Sequence, residues 1–416
     1  MKLSEPKEKL PMCLAPFIGL FKISQRTSPC CEMWGETRKM PFDEYWNGDV
    51  AKQTRKALWE HNYDALPEGC KTCLNSPTSH SKFYLLEDRP FFVENFLKYK
   101  HLYNEDGSMS GVPLTQLALG VSNKCNMACR MCTPQISSTK LSITERIGLT
   151  NDPGILPPFD RKTFVAETDH EEDLRIITSN YETLREVVLH GGDPIQAKNF
   201  PAIIDALMPI KDTCKINFLS NGSFSTMTDG RNVWDVLKDF KDVHAVFSID
   251  SIPEANDYIR LRGRTKRTMK IIDEALSKLP ERHYVGVHTT LSNYSAVYFA
   301  EYLEWAYENL HPRGIWPSLN VVNNPKYYQP FQLPDDVKRE VLKKLRNVKI
   351  DNEHYMELRD TAMRAIFAGK FSPSEWNKAM YLDRTIDEHE GRDMLKVFPM
   401  FAPHVNNIIP CSVDTL

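Results

Sequence analysis

The chain has 416 residues, 41% of them hydrophobic and 26% charged, with a formal net charge of −3 at pH 7. That length exceeds what one hydrophobic core usually fills, so a main domain with appendages is expected, and the composition excludes a fibrous or wholly disordered chain. The near-neutral balance gives no support for general nucleic-acid or membrane binding.

The opening, MKLSEPKEKLPMCLAPFIGLF, carries Glu5 and Glu8 ahead of a short apolar run and no clean small-residue cleavage site, so it reads as part of the folded protein. No uncharged apolar run approaches the roughly 20 residues needed to cross a bilayer. The expected location is the cytoplasm. Of the ten cysteines, eight fall in the first third in short-spaced groups, a pattern of metal ligation in a reducing compartment.

Residues 1–112 are irregular, with Cys13, Cys30, Cys31, Cys70 and Cys73 among Pro, Gly and aromatic residues and a helical stretch at 49–61. They read as a small metal-stapled module. From 113 to 330 the texture changes to six short β-rich runs: QLALGVS (116–122), EVVLH (186–190), KINFLS (215–220), HAVFSI (244–249), YVGVHTT (284–290) and PSLNVV (317–322). Helical patterns lie between them, as at 229–240 and 295–309. Strand, helix, strand repeated in this way implies parallel pairing with right-handed crossovers. The expected fold is therefore α/β, a partial (β/α)6 TIM-type barrel. Its first crossover, 133–185, is too long for one helix and contains the turn-rich NDPGILPPFD, read as an insertion near the active mouth. Residues 331–416 read as a mostly helical extension, with LPDDVKREVLKKL opening one helix and SPSEWNKAM another.

Directly after the first predicted strand comes CNMACRMC, with Cys125, Cys129 and Cys132. Soft thiolates select iron-sulfur clusters, zinc or Cu(I) over hard cations. Three close thiolates leave one iron of a cubane without a protein ligand, open to the amine and carboxylate of a methionine group. The C-x-x-x-C-x-x-C spacing at this position resembles the radical S-adenosylmethionine superfamily. That resemblance implies a [4Fe-4S] cluster, S-adenosyl-L-methionine as cofactor, and its reductive cleavage to a 5′-deoxyadenosyl radical that abstracts hydrogen from substrate. Where the family usually has an aromatic residue before the third cysteine, this chain has Met131, whose thioether can also pack against adenine.

The resemblance extends to later strand ends. HGGDP supplies Gly191, Gly192 and Asp193, similar to the family's GGE followed by Pro, and implies contact with the methionyl ammonium; Asp193 is the shorter acid and Pro194 is kept. LSNG places Ser220 and Asn221 at the same rim. FSIDS carries Ser248 and Asp250 on one strand face, and resembles the S-x-D element that meets the ribose hydroxyls and the methionyl end. In the basic cluster YIRLRGRTKR, Arg260 suits the methionyl carboxylate, because guanidinium binds carboxylate bidentately. Each has an ordinary alternative: a turn for GGDP and LSNG, a helix cap for Asp250, a solvated face for Arg260. His288 is read either as facing adenosine or substrate or as a hydrogen-bonded interior histidine.

The early cysteines resemble the auxiliary-cluster modules called SPASM and twitch, here placed before the barrel and not after it. The ligand set implied is Cys13, Cys30, Cys70 and Cys73, with Cys31 as the substitute for Cys30. A structural zinc site with the same ligands is the alternative. Cys214 reads as a small buried hydrophobe, and Cys411 is unassigned. Enzymes resembling this pair of modules often modify peptides or proteins, and a flavodoxin or ferredoxin is the implied reductant. Two rival classes are weighed. A non-catalytic iron-sulfur electron carrier needs the cysteines but not GGDP, LSNG and FSIDS, and a zinc-stapled interaction protein would be colourless.

Overall fold

The structure is a computed structural model and describes residues 10–23, 26–36, 40–75, 90–149 and 170–405. It is a mixed α/β fold whose strands in the described residues are β1 (Gly19–Ile23), β2 (Arg26–Ser28), β3 (Gln116–Ser122), β4 (Glu186–Gly191), β5 (Lys215–Ser220), β6 (Asp242–Ser248), β7 (Tyr284–Leu291) and β8 (Pro317–Val321). All six runs expected from sequence are strands, consistent with a partial TIM-type barrel. The packing divides the chain into two units.

The first unit comprises Met1–Ser122, Val165–Phe218 and Asp239–Val243. Its β1, β3, β4 and β5 pair in parallel and β2 returns antiparallel to β1. Leu20, Leu117, Leu119, Val187, Leu189, Ile216 and Phe218 are buried, the alternate-residue face that a covered sheet requires. Strands β1 and β2 were not anticipated. They lie in the stretch read as an irregular module, yet β1 extends the parallel sheet through Leu20↔Leu117 and Phe21↔Ala118. Three to five residues among Pro and Cys carry too short a period to register.

Helix α1 (Asp49–Trp59) runs two residues shorter than the predicted 49–61. Its Arg55 is fully buried, donating to the carbonyls of Pro16 at 2.8 Å and Gly107 at 3.0 Å beneath the Trp46 ring. The N-terminal segment is thus held by a buried guanidinium as well as by apolar packing. Cys70 and Cys73 sit in helix α2 (Glu68–Asn75); three residues is nearly one helical turn, so both thiols share a face.

The second unit comprises Asn123–Phe164, Leu219–Lys238 and His244–Leu416. Strands β6, β7 and β8 pair in parallel, with Ser248↔His288↔Ser318 in one row. Helix α3 (Ser138–Arg146) follows the cysteine loop, its N-terminus capped by Ser137. The predicted helix at 229–240 shrinks to Val233–Leu237, because Asn232 caps it late, accepting from Trp234 N. The stretch 295–309 breaks into Asn293–Val297 and Phe299–Asn309. Beyond 330 come α4 (Asp335–Asn347), α5 (Glu353–Phe367) and α6 (Pro373–Glu390). NDPGILPPFD and Cys411 lie outside the described residues. Among the described residues no helix is long and apolar enough to cross a membrane.

Candidate functional site

The three-cysteine loop, which follows Ser122 in sequence, belongs to the second unit and is stitched down on two sides. Toward α3, Ser138 N donates to Asn123 O at 2.8 Å, Cys125 N donates to Ser138 Oγ at 3.1 Å, and Ser137 Oγ donates to Met127 O at 2.6 Å. Toward the segment after β6, Ala128 N donates to Leu261 O at 3.0 Å and Arg130 N to Ile259 O at 2.8 Å. These bonds satisfy the backbone of an irregular loop that would otherwise be costly to bury. The side chains of Cys125, Cys129 and Cys132 pack together with Met127 and Met131.

Their electrostatics are unequal. A hydrogen bond from Cys132, opposed by burial and aided by Arg260, brings the Cys129 thiol down to about 7, while that bond and burial hold Cys132 well above the usual thiol range. A lowered thiol pKa favours the thiolate, the form that ligates metal. Among the described residues no group of three His, Cys, Asp or Glu converges to hold a single metal ion. A cubane asks for a different arrangement, since each of its thiolates ends at its own iron, and three soft donors in one packed loop fit that group.

Of the candidate cofactor-binding residues, Asn221 and Arg260 reach the cysteines. Asn221 Nδ2 lies 3.6 Å from Cys125 Sγ and 3.0 Å from Asn126 Oδ1. Asn126 in turn donates to Ser223 Oγ at 2.9 Å, so the LSNG turn grips the loop just after its first cysteine. Ser220 accepts from Gly222 N at 3.1 Å and shapes that turn. Arg260 places Nη1 3.9 Å from Cys129 Sγ and Nε 2.8 Å from Asp250 Oδ2. Burial opposes its charge, but Asp250 and then Cys129 hold the guanidinium above its ordinary range.

The sequence reading gave Asp250 to a ribose and Arg260 to a carboxylate; in the structure they are each other's ion partner. Asp250 is fully buried and also accepts from Thr290 N at 2.8 Å. Ser248 is half-buried beside His288, whose Nδ1 lies 2.8 Å from Ser318 Oγ.

Two contributors escaped sequence reading. Asn126 lies inside the motif without belonging to its cysteine pattern. Lys140 is buried in the first turn of α3, 3.4 Å from Arg130 O, and burial lowers its ammonium to about 8 against the pull of Asp383 and of Cys132 and Cys129. The Ser137 cap was the available signal for that helix start.

The first unit holds the GGDP turn and the early cysteines. Gly191 has φ +130°, and a Cβ there would stand 2.4 Å from Ser122 O; Gly192 N donates to that same oxygen at 2.7 Å. Gly191→Ala is therefore expected to cost about 1–3 kcal/mol, read as a lower urea midpoint; an unchanged midpoint would show that the turn relaxes freely. Asp193 is fully buried and accepts from Ile195 N at 3.3 Å, capping the turn that Pro194 begins. His190, one residue earlier and not singled out from sequence, stacks on Phe21 with centroids 5.1 Å apart, and burial lowers it to about 4.

Cys13, Cys30 and Cys70 pack around Met33 and Ala15, with Cys70 Sγ donating to Met33 Sδ at 3.4 Å. Burial, with Cys73 nearby, pushes Cys13 up to about 12, and burial with Cys13 and Cys31 holds Cys30 well above the usual thiol range. Cys73 is buried, and Cys31 is the exposed thiol of the group. Five cysteines spread over sixty residues of chain are thus gathered within one unit. Cys214 is buried, its thiol raised to about 12 by burial.

No curated protein matches the chain. Similar solved structures include Streptococcus suis SuiB, at 14% identity over 88% of this chain and 66% of that chain with a TM-score of 0.39. SuiB bound to its precursor peptide SuiA gives 13% identity over 65% and 52%, TM-score 0.36. Native anSMEcpe with bound AdoMet gives 11% identity over 67% and 62%, TM-score 0.34. The chain thus spans between 52% and 66% of the length of these structures. Residues 119–306, which include the three-cysteine loop, the GGDP and LSNG turns and the Asp250–Arg260 pair, match the family model of the Radical SAM superfamily.

Proposed function

We propose that this chain is a radical S-adenosylmethionine enzyme whose [4Fe-4S] cluster is held by Cys125, Cys129 and Cys132 and whose substrate is a peptide or protein. When bound, the cluster supplies the electron that cleaves the cofactor and so starts hydrogen abstraction from the substrate. The observation that carries the reading is that two separate motifs close on the loop, Asn221 just after β5 at Cys125 and Arg260 of the basic stretch at Cys129.

The protein's own contribution is placement. Asn221 offers an amide N–H to one sulfur and Arg260 a guanidinium to another, and hydrogen bonds and charge at the sulfurs set a cluster's potential. Gly191 and Gly192 leave the GGDP backbone open to the methionyl ammonium. Ser220, Ser248 and Asp193 complete the cofactor-binding set, with Asp250 acting chiefly through Arg260. Burial of the loop keeps water from a reactive radical.

Cys13, Cys30, Cys70 and Cys73 are assigned to a second iron-sulfur cluster in a SPASM- or twitch-like module spanning 1–112, ahead of a barrel at 113–330 and an extension at 331–416. Its support is the gathering of soft donors around Met33. A reductant such as flavodoxin or ferredoxin and a cytoplasmic location complete the reading.

The test is anaerobic reconstitution with iron and sulfide, then reduction with S-adenosylmethionine present. A brown protein absorbing near ~400 nm that releases 5′-deoxyadenosine is expected. A colourless, zinc-loaded chain that releases none would overturn the assignment.

A further inference from the structure

Arg130 stands between the second and third cysteines of the loop, and its side chain is spent elsewhere. It is 1% exposed, with Nη1 3.3 Å from Asp383 Oδ1 and Nη2 bonded to Asp387 Oδ1, both carboxylates on α6. Its guanidinium lies 4.3 Å from the centre of the Tyr258 ring. Each carboxylate is held from a further side: Tyr258 Oη donates to Asp387 at 2.9 Å, and Tyr294 and Tyr328 donate to Asp383 at 2.7 and 2.9 Å. All six residues belong to the second unit.

A buried ion cluster is a weak route to stability, because apolar side chains of similar volume often serve as well, but it imposes one geometry on its members. Here the member so fixed is the residue whose backbone spaces Cys129 from Cys132. Its N–H is tied to Ile259 O, its carbonyl accepts from Lys140, and Cys132 N closes a turn onto Cys129 O at 3.1 Å. The guanidinium fork therefore fixes the one point about which the cysteine spacing turns.

We propose that Arg130, clamped by Asp383 and Asp387, is a positioning residue for the cysteine loop, which makes helix α6 of the C-terminal extension part of the cluster-binding apparatus. The inference rests on the cluster reading for its purpose, but the clamp itself can be tested without metal.

The full chain and its Arg130→Met and Asp387→Asn variants would be compared in two ways. In the reduced, metal-free state, iodoacetamide labelling of each cysteine is followed by mass spectrometry. After reconstitution, the electron paramagnetic resonance spectrum of the reduced cluster is recorded with and without S-adenosylmethionine. Labelling of Cys129 and Cys132 is expected to rise by about tenfold through local opening, with Cys214, buried in the other unit, unchanged. The cofactor-induced change of the spectrum is expected to be lost or broadened in both variants.

Wild-type labelling and a wild-type spectral response in both variants would overturn the proposal. So would parallel labelling of Cys214, since the network would then hold the whole fold and not the loop. If the unaltered chain takes up no iron, the proposed function fails, while the labelling comparison still decides the clamp.

Discussion

Cys129→Ala is expected to bring 5′-deoxyadenosine formation to background, a loss beyond the roughly 10–100-fold that outer-shell changes cost at metal sites, whereas Cys73→Ala keeps a measurable part of it. The asymmetry follows from where the thiols lie. Cys129 packs with Cys125 and Cys132 in the second unit, and its thiol is drawn down while that of Cys132 is held up. Cys73 belongs to the other group, the five early cysteines gathered in the first unit. Removing it would empty a different site. Quantifying product under reducing conditions, together with iron per chain, checks both arms. Equal loss of iron and product in the two variants would mean a single shared site and would sink the division into two clusters.

Much of this site was legible because its signals are local. A strand of alternating or continuous apolar residues announces itself within seven positions, and the cysteine, glycine and Ser-x-Asp elements sit immediately beyond such strands. That is how β3 to β8 and the loops after them could be placed. Strands β1 and β2 could not, because pairing, of β1 with β3 and of β2 with β1, and not their own composition makes them strands. The role of Arg130 was equally hidden: its partners lie some 250 residues away on α6, and an arginine between cysteines looks like a solvated charge until that helix is packed. Lys140 belongs to the same class, since only burial distinguishes it from a surface lysine.

The Asp250–Arg260 pair shows a third kind of limit, in which the residues were found but their relation was not. Both were chosen for what they could offer a ligand, yet fully buried Asp250 is ion-paired with Arg260 at 2.8 Å and accepts from the backbone of β7. Charge pairing across ten residues cannot be read from a motif whose elements were each matched separately.

That relation yields an unequal pair of outcomes. Asp250→Asn keeps the shape of the side chain but leaves Arg260 with an uncompensated buried charge, a change that typically costs about 3–5 kcal/mol. A guanidinium has no escape from this, since it does not lose its proton in proteins. Arg260→Leu strands Asp250 instead, but a lone buried carboxyl can take up a proton and still accept from Thr290 N, which caps the penalty. Asp250→Asn is therefore expected to lower the chemical denaturation midpoint of the metal-free protein more than Arg260→Leu does. The double variant should recover part of the loss, because residues in contact couple by about 0.5–3 kcal/mol. If Arg260→Leu proved the more damaging, or the two losses simply added, the pair would not be acting as an ion pair. In the reconstituted protein both single variants also remove or misplace the donor near Cys129 Sγ, so each should shift the cluster's midpoint potential, read by redox titration. A wild-type potential in Arg260→Leu would exclude the guanidinium from the surroundings of the cluster, whatever its value to the fold.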